Sequence, residues 1–355
     1  MDVSPSDVRR IVGRVLATAV LALAACAAPS ATVPSSTDEP VPSPAPTATV
    51  DPSGGAVSAS PPPCLDAKLV YADSLSRLLL VNCIDQFDLA SVETVWAWDG
   101  ERWGLLSDDG PPANVVTGMG WDDERDVLVR YGGIPLPSQE CSPETWEWDT
   151  VEWRQIDAES PELCDHHELA WDASAMKMLL VGGGSGQNLM SGTWAWDGSA
   201  WSLLTDTGPQ PLAHHGFVYD DSHGQALVYG GFDGRAVFDD LWSWDRSVWE
   251  EVAIRGESPG TRSHHGLAVG PAGLLLFGGA TRTSTFGSLV DETWLLTDGR
   301  WSLLDAPGPS ARGMPALGYD PDRDVFLLYG GFTADGSPLS DTWRWDGAWT
   351  CLAGC

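Results

Sequence analysis

The chain has 355 residues, and its 50 Asp and Glu against 19 Lys and Arg give a formal charge of −31 at pH 7. Nucleic-acid sites need clustered Lys and Arg, so this balance excludes a protein that binds the phosphate backbone. A hydrophobic content of 43% excludes a chain that is disordered throughout. The 19 Trp, against 8 Phe and 6 Tyr, indicate a structural position that recurs along the chain.

The first 25 residues have the features of a targeting segment. Three Arg precede an apolar run, 15–25, that is too short to span a membrane. The run ends in Leu-Ala-Ala-Cys at 23–26, which resembles the lipobox of bacterial lipoproteins. The resemblance implies cleavage before Cys26 and a lipid on Cys26, which would anchor the chain on the extracytoplasmic face of a bacterial cell membrane. The alternative is a secretory peptide cleaved near Ala28; either way the folded part would lie outside the cytoplasm.

A linker follows the targeting segment. Residues 26–63 are dominated by Pro, Ser, Thr, Ala and Val. Such a composition cannot bury enough apolar surface to offset its chain entropy, and its proline density makes it semi-extended. We therefore predict a signal peptide at 1–25, a lipidated Cys and disordered tether at 26–63, and a folded domain at 64–355.

Six copies of one unit fill the predicted folded domain. In the clearest copies an apolar run ends in Tyr-Gly-Gly, Trp-x-Trp-Asp follows, and a third Trp comes shortly after. The second glycine, or the residue in its place, stands at 83, 133, 183, 231, 279 and 331, at intervals of 50, 50, 48, 48 and 52 residues. Each copy holds four short apolar runs separated by turn residues, which is typical of a four-stranded antiparallel blade.

This pattern resembles the kelch repeat. The apolar run that ends in Gly-Gly, the aromatic pair and the later Trp all match it across residues 64–355. The resemblance implies an all-β, six-bladed kelch-type β-propeller, similar to the propeller domain of galactose oxidase relatives. All 19 Trp fall at repeat positions, so we interpret them as core residues and not as a dedicated ligand site.

Each blade is one contiguous segment, so a connection other than strand exchange must join blade 1 to blade 6. Beyond Cys26 the chain has an even number of cysteines, which outside the cytoplasm favours disulfides. They are Cys64, Cys83, Cys141, Cys164, Cys351 and Cys355. We predict a bond between Cys141 and Cys164, which border blades 2 and 3. For the other four we expect a bond from Cys64 or Cys83 to Cys351 or Cys355 that clasps the ring; the local alternative pairs Cys64 with Cys83 and Cys351 with Cys355.

Three His doublets begin the first strands of blades 3, 4 and 5, near one mouth of the central channel. They are His166-His167, His214-His215 and His264-His265. The kelch pattern often has a structural His at the second position, so we assign His167, His215 and His265 to that role and regard His166, His214 and His264 as additional. Three imidazoles at one height could hold a transition metal or another ligand. We favour a structural role for all six, and we expect no cofactor.

The kelch resemblance implies mostly protein or carbohydrate interaction. We therefore expect a monomeric, lipid-anchored, non-catalytic binding or scaffold protein that recognises an extracytoplasmic protein or glycan through its loops and touches the membrane only through the lipid. The alternative is a carbohydrate-active enzyme on the same fold, either a metal-dependent sugar oxidase or a sialic-acid mutarotase. Galactose oxidase relatives need copper and a Cys-linked Tyr, and here every Tyr and Cys has a structural place. Mutarotation needs only a positioned acid–base pair, which the His doublets or a rim carboxylate could supply.

Overall fold

The computed structural model describes residues 60–83, 91–135, 140–161, 163–185 and 188–355. Within these ranges, six antiparallel sheets each contain four strands that pair in chain order, and one of the six has a fifth, short strand. The first strands of neighbouring sheets contact each other in a ring, so the sheets are propeller blades around a central channel. The predicted all-β, six-bladed propeller is confirmed. The predicted signal peptide, Cys26 and the tether up to residue 59 lie outside the described residues.

The strands follow the repeat. Blade 1 comprises β1 (Lys68–Ala72), β2 (Arg77–Val81), β3 (Val95–Trp98) and β4 (Trp103–Ser107). Next come β5 (Asn114–Val115), β6 (Gly118–Asp122), β7 (Val127–Tyr131), β8 (Ile134–Pro135), β9 (Thr145–Trp148) and β10 (Trp153–Ile156); β5 pairs with β8, and the other four form blade 2. Blade 3 comprises β11 (Asp165–Asp172), β12 (Lys177–Ser185), the short β13 (Asn188–Leu189), β14 (Thr193–Trp196) and β15 (Trp201–Thr205).

The last three blades have no additional strands. Blade 4 comprises β16 (Gly216–Asp220), β17 (Gln225–Tyr229), β18 (Leu241–Trp244) and β19 (Trp249–Glu251). Blade 5 comprises β20 (Gly266–Gly270), β21 (Gly273–Phe277), β22 (Thr293–Thr297) and β23 (Arg300–Leu304). Blade 6 comprises β24 (Ala316–Asp320), β25 (Val325–Tyr329), β26 (Thr342–Trp345) and β27 (Trp349–Ala353).

Helix is confined to two three-residue 3-10 turns in the described part of the chain, η1 (Asp73–Leu75) and η2 (Thr285–Gly287). No helix found there is long and apolar enough to cross a membrane. The core lies between the blades, where the inward-facing residues of each sheet pack on the next sheet. In blade 4, for example, Trp244 is 2% exposed and packs on Trp249, with the ring centroids 5.6 Å apart.

In five of the six blades, the Trp at the start of the fourth strand also joins the blade to the preceding one through a hydrogen bond. In four of the six blades its indole Nε1 donates a hydrogen bond to the Thr that opens the third strand of the preceding blade. The pairs are Trp201 with Thr145 (2.9 Å), Trp249 with Thr193 (2.8 Å), Trp349 with Thr293 (2.8 Å) and Trp103 with Thr342 (3.0 Å). In blade 2, Trp153 donates instead to Ser107 at 3.3 Å. In blade 5, Trp301 faces Leu241 and its Nε1 has no partner.

The junction between blades 6 and 1 closes with the same contacts as the other junctions. The second glycine of each Gly-Gly pair donates its N–H to the carbonyl of the segment entering the next blade, as Gly231 does to Arg262 at 2.7 Å. At the junction between the chain ends, Gly331 donates to Cys64 at 3.3 Å, and Cys64 donates to Leu339 at 3.2 Å. The Tyr329 hydroxyl reaches the Pro61 carbonyl at 2.8 Å, so residues just before 64 also pack against blade 6.

The disulfides are local. Cys141 pairs with Cys164, as predicted. Cys64 pairs with Cys83 and Cys351 pairs with Cys355, so the expected clasp between the two ends of the domain is wrong and the local alternative is correct. The physical reason lies in the junction itself. Ordinary inter-blade packing and hydrogen bonds already close the ring, and the Cys64–Cys83 bond fixes the entry segment that makes those hydrogen bonds.

Candidate functional site

The two rims of the propeller differ in the length of their loops. We call the rim that carries the strand-entry segments and the second-to-third-strand loops the loop rim; those second-to-third-strand loops span 7 to 15 residues. The opposite rim, here called the turn rim, carries only connections of 2 to 4 residues. Binding residues concentrate on loops that a rigid scaffold positions, so the loop rim offers the larger adaptable surface.

The channel holds a cavity of about 580 Å³. It is bounded by the first strands and runs from the His doublets towards the first turns of the blades. His214 and His264 line one end, and Asp73, Asp123 and Asp221 line the other. The cavity therefore connects two sets of polar side chains that lie at opposite ends of the strands.

The second His of each doublet lies between blades. His167, His215 and His265 are 1%, 3% and 8% exposed. Burial lowers the pKa of His167 to about 4 and the pKa of His215 and His265 to about 3, so these imidazoles are neutral at pH 7. Gly182 shows why the preceding blade needs glycine: it has a φ of +69°, and a Cβ there would lie 2.5 Å from Cε1 of His215. These three histidines pack the junctions.

The first His of each doublet forms a layer across the loop-rim end of the channel, here called the histidine layer (His166, His214 and His264). Their backbones have φ values of 60°, 52° and 56°, in the left-handed region. The rings of His166 and His214 meet edge to face with centroids 4.6 Å apart, and those of His214 and His264 stack at 3.8 Å. Burial and the neighbouring imidazoles lower the pKa of His214 well below its ordinary value.

The histidine layer does not have the geometry of a metal centre. Imidazole lone pairs lie in the ring plane, so the stacked rings of His214 and His264 do not direct their nitrogens at one ion. Across the described ranges, the only trio of His, Cys, Asp and Glu ligand atoms within 4.8 Å of one another belongs to Cys141, Cys164 and Asp165. Two of these atoms are already joined in a disulfide. The residues present do not fit the transition metal considered from the sequence.

A charged cluster that the sequence analysis did not single out lies beside the histidine layer. Lys68 Nζ is 2.5 Å from Glu168 Oε1. Glu168 belongs to blade 3 and Lys68 to blade 1, and the intervening β6 of blade 2 has Gly118 at the equivalent position. The ion pair can therefore bridge over blade 2. The available signal was the spacing of Lys68, Gly118 and Glu168, which lie 50 residues apart in phase with the repeat.

Burial and mutual charge shift the pKa values of this cluster. Burial raises the pKa of Glu168, although Lys68 opposes the shift. Burial alone would lower the pKa of Lys68, but Glu168 and Asp66 raise it above its ordinary value. Asp66 accepts a hydrogen bond from the amide of Val116, and its pKa is also raised by burial. The ammonium is therefore held in place by two carboxyl groups that are themselves costly to ionise.

The turn-rim mouth of the channel is acidic. Asp73, Asp123 and Asp221 follow the first strands of blades 1, 2 and 4. Burial and repulsion from Asp73 raise the pKa of Asp123 to about 7, and burial and the charge of Asp220 raise the pKa of Asp221. The negative charge of Asp73 contributes to both shifts, so it repels the carboxylates of Asp123 and Asp221 at this mouth.

Comparison with known proteins identifies the repeat. Residues 125–297 match the family model described as the KLHDC2/KLHL20/DRC7 Kelch-repeats domain. A solved structure entitled "Structure of YjhT" superposes with a TM-score of 0.65 and 13% sequence identity, over 82% of this chain and 98% of that chain. At that identity the likeness shows the fold alone. No curated protein sequence matches this chain. With its six blades, the chain is a β-propeller that contains a kelch-repeat domain over residues 125–297.

Proposed function

We propose that this protein is a non-catalytic binding or scaffold protein, held on the extracytoplasmic face of a bacterial membrane by a lipid on Cys26, and that its loop rim receives a protein or glycan partner. Kelch propellers usually serve as protein-binding scaffolds. The lipobox-like sequence at 23–26 supports the anchor. The three disulfides support an oxidising compartment, because disulfides are rare in the cytosol.

The difference between the rims is the observation that carries the binding role. Second-to-third-strand loops of up to 15 residues on the loop rim contrast with connections of at most 4 residues on the turn rim. All three disulfides lie at the loop rim, since each involves a strand-entry segment, a second-to-third-strand loop or the exit of the last strand. Crosslinked loops lose less conformational entropy on binding, which favours affinity.

The charge of the chain restricts the partner. At −31 the protein repels acidic macromolecules at physiological ionic strength. A basic or neutral partner is favoured. For a basic partner the association rate should fall as salt is added, because salt screens the attraction between the two proteins.

Site-specific photo-crosslinking on intact cells tests the proposed binding surface. The probe replaces Arg282 or Asp335, which are exposed in second-to-third-strand loops of blades 5 and 6. The matched controls replace Ser199 or Ser247, which are also exposed and lie in turn-rim connections of blades 3 and 4. We expect a specific adduct from the loop-rim probes only. Adducts from the turn-rim probes alone, or no adduct from any probe on protein displayed at the surface, would contradict the proposal.

A further inference from the structure

We propose that the central channel is a second binding site, a well that opens on the turn rim and holds a small, hydroxyl-rich molecule without negative charge through Lys68 and Glu168. This site is separate from the loop-rim surface, and it does not depend on the lipid anchor or on a macromolecular partner. It rests on three observations: a cavity closed at one end, polar groups at its base with unused hydrogen-bonding capacity, and an acidic mouth.

The histidine layer closes the channel at the loop rim. His264 is 5% exposed and Val116 is 8% exposed, and His166 and His214 are partly buried. Backbone hydrogen bonds join neighbouring entry segments around the channel, from His166 to Val116 at 3.0 Å and from His264 to His214 at 2.9 Å. Phe332 packs on His264, with ring centroids 6.3 Å apart.

The other end of the channel is open. Asp73, Asp123 and Asp221 line the cavity and are exposed, whereas Lys68 and Glu168 at its base are only partly exposed. A ligand would therefore enter past these aspartates and stop at the histidine layer. The cavity of about 580 Å³ falls within the range of small-molecule pockets, about 300 to 1,000 Å³.

The base of the well offers both donors and acceptors. His264 Nε2 is buried and has no hydrogen-bond partner, while its Nδ1 lies 3.0 Å from the Ser263 hydroxyl. Burial lowers the pKa of His264 to about 3, so the ring is neutral at pH 7, and its buried Nε2 is closed off from a ligand in the well. The Lys68–Glu168 pair, with each side chain 22% exposed in the lining of the cavity, supplies the N–H donors and the carboxylate acceptors.

The charges in the well discriminate against anions. Lys68, the cation that lines the cavity, is already paired with Glu168 and attracted by Asp66. An anionic ligand would have to pass three aspartates and then compete with Glu168 for the ammonium. A polyol avoids this repulsion, and an amine on the ligand would be attracted to the mouth. The chemistry therefore fits a neutral sugar or an amino sugar and not a sugar acid.

A panel of matched sugars tests the ligand class. The mature, disulfide-bonded chain is titrated with glucose, galactose and mannose, with their 2-amino forms and with their uronic acids. Binding is followed by calorimetry and by the histidine side-chain resonances in NMR spectra. We expect at least one neutral or amino sugar to bind saturably and to shift the resonances of His214 and His264. We expect the matching uronic acid to bind at least tenfold more weakly, which corresponds to about 1.4 kcal/mol.

Two variants test whether the ligand binds in the well. Glu168→Gln should weaken sugar binding at least tenfold, whereas Glu251→Gln, an exposed change on the outer strand of blade 4, should have no effect. If Glu168→Gln fails to fold, Asp123→Asn at the exposed mouth supplies the test, because it removes repulsion and should narrow the difference between the uronic acid and the neutral sugar.

The outcomes separate this proposal from the loop-rim function. The proposal is overturned if no neutral or amino sugar shifts the histidine resonances, or if the uronic acids bind equally well. Sugar binding that leaves these resonances unchanged would place the ligand outside the well, and would be consistent with glycan recognition on the loop rim. A photo-crosslinked partner at the loop rim without any sugar in the well would support the first function and reject this one.

Discussion

The hydrogen bonds from Trp to Thr between blades predict a measurable loss when the acceptor is removed. In the junction of blades 3 and 4, Trp249 Nε1 donates to Thr193 Oγ1 at 2.8 Å. Thr193 is 1% exposed and Trp249 is 6% exposed, so no solvent can replace the lost partner. Thr193→Val keeps the shape of the side chain and leaves the indole N–H buried without an acceptor. Such an orphaned donor costs about 1–3 kcal/mol.

Equilibrium denaturation of the full mature chain measures this loss. We expect the free energy of unfolding to fall by about 1–3 kcal/mol in Thr193→Val, with a decrease in Tm of a few degrees. Thr342→Val should show a similar loss, because Trp103 donates to Thr342 at 3.0 Å across the junction that joins the two ends of the domain. The control is Thr350→Val, an exposed change on the outer strand of blade 6. A loss in Thr193→Val no larger than in the control would refute the role of these hydrogen bonds.

Three further changes test the packing, the disulfides and the pH response. Trp244→Ala removes a ring that is 2% exposed and should lower the free energy of unfolding by about 3–5 kcal/mol in chemical denaturation; an unchanged Tm would contradict this packing. Replacing Cys64 and Cys83 together by Ala should lower the free energy of unfolding by about 3 kcal/mol, and replacing Cys351 and Cys355 should lower it by about 2 kcal/mol. The losses differ because the closed loops span 19 and 4 positions. Equal losses in denaturation curves would reject this loop-length argument. His215 has a folded pKa of about 3 against an ordinary 6.5, so its stabilising contribution is present above pH 6.5 and is lost as the pH falls towards 3. The free energy of unfolding of His215→Gln should therefore rise, relative to that of the wild type, by about 1.4 kcal/mol for each unit by which the pH falls in this window. A difference that stays constant across pH would contradict the low pKa of His215.

The blades were predictable because the same pattern of buried residues recurs in each copy of the repeat. Each copy must place its own apolar runs in a core shared with its neighbours, so Trp residues such as Trp196 and Trp244 recur at fixed positions in the sequence. The alternation of Trp-x-Trp and the later Trp follow from the geometry of the third and fourth strands. The period therefore predicts the number of blades and the number of strands in each blade.

The closure of the ring was not predictable from cysteine positions. Pairing depends on which loops approach one another, and the expected clasp assumed that the junction between the chain ends needed a special bond. Cys64 instead takes the same backbone hydrogen bond from Gly331 that Arg262 takes from Gly231. The junction is held as the others are, so its disulfide can remain within blade 1.

The channel groups were predictable only in part. The His doublets were expected near one channel mouth, and His166, His214 and His264 do meet there. Their stacking depends on left-handed backbone conformations that residue identity does not reveal. Lys68 and Glu168 lie 100 positions apart at the same place in the repeat, but their contact also needs the small Gly118 between them, so it becomes evident only when the first three blades are assembled.

The mature N-terminus of the protein isolated from its native membrane tests most directly whether this propeller is displayed outside the cytoplasm. Mass spectrometry of the N-terminal peptide should show a chain that begins at Cys26, with the mass of a diacylglycerol group on that residue. Cys26→Ser should abolish the modification and release the protein from the membrane fraction. A chain that retains residues 1–25, or one that begins beyond Cys26 without a lipid, would contradict the anchored binding protein proposed here.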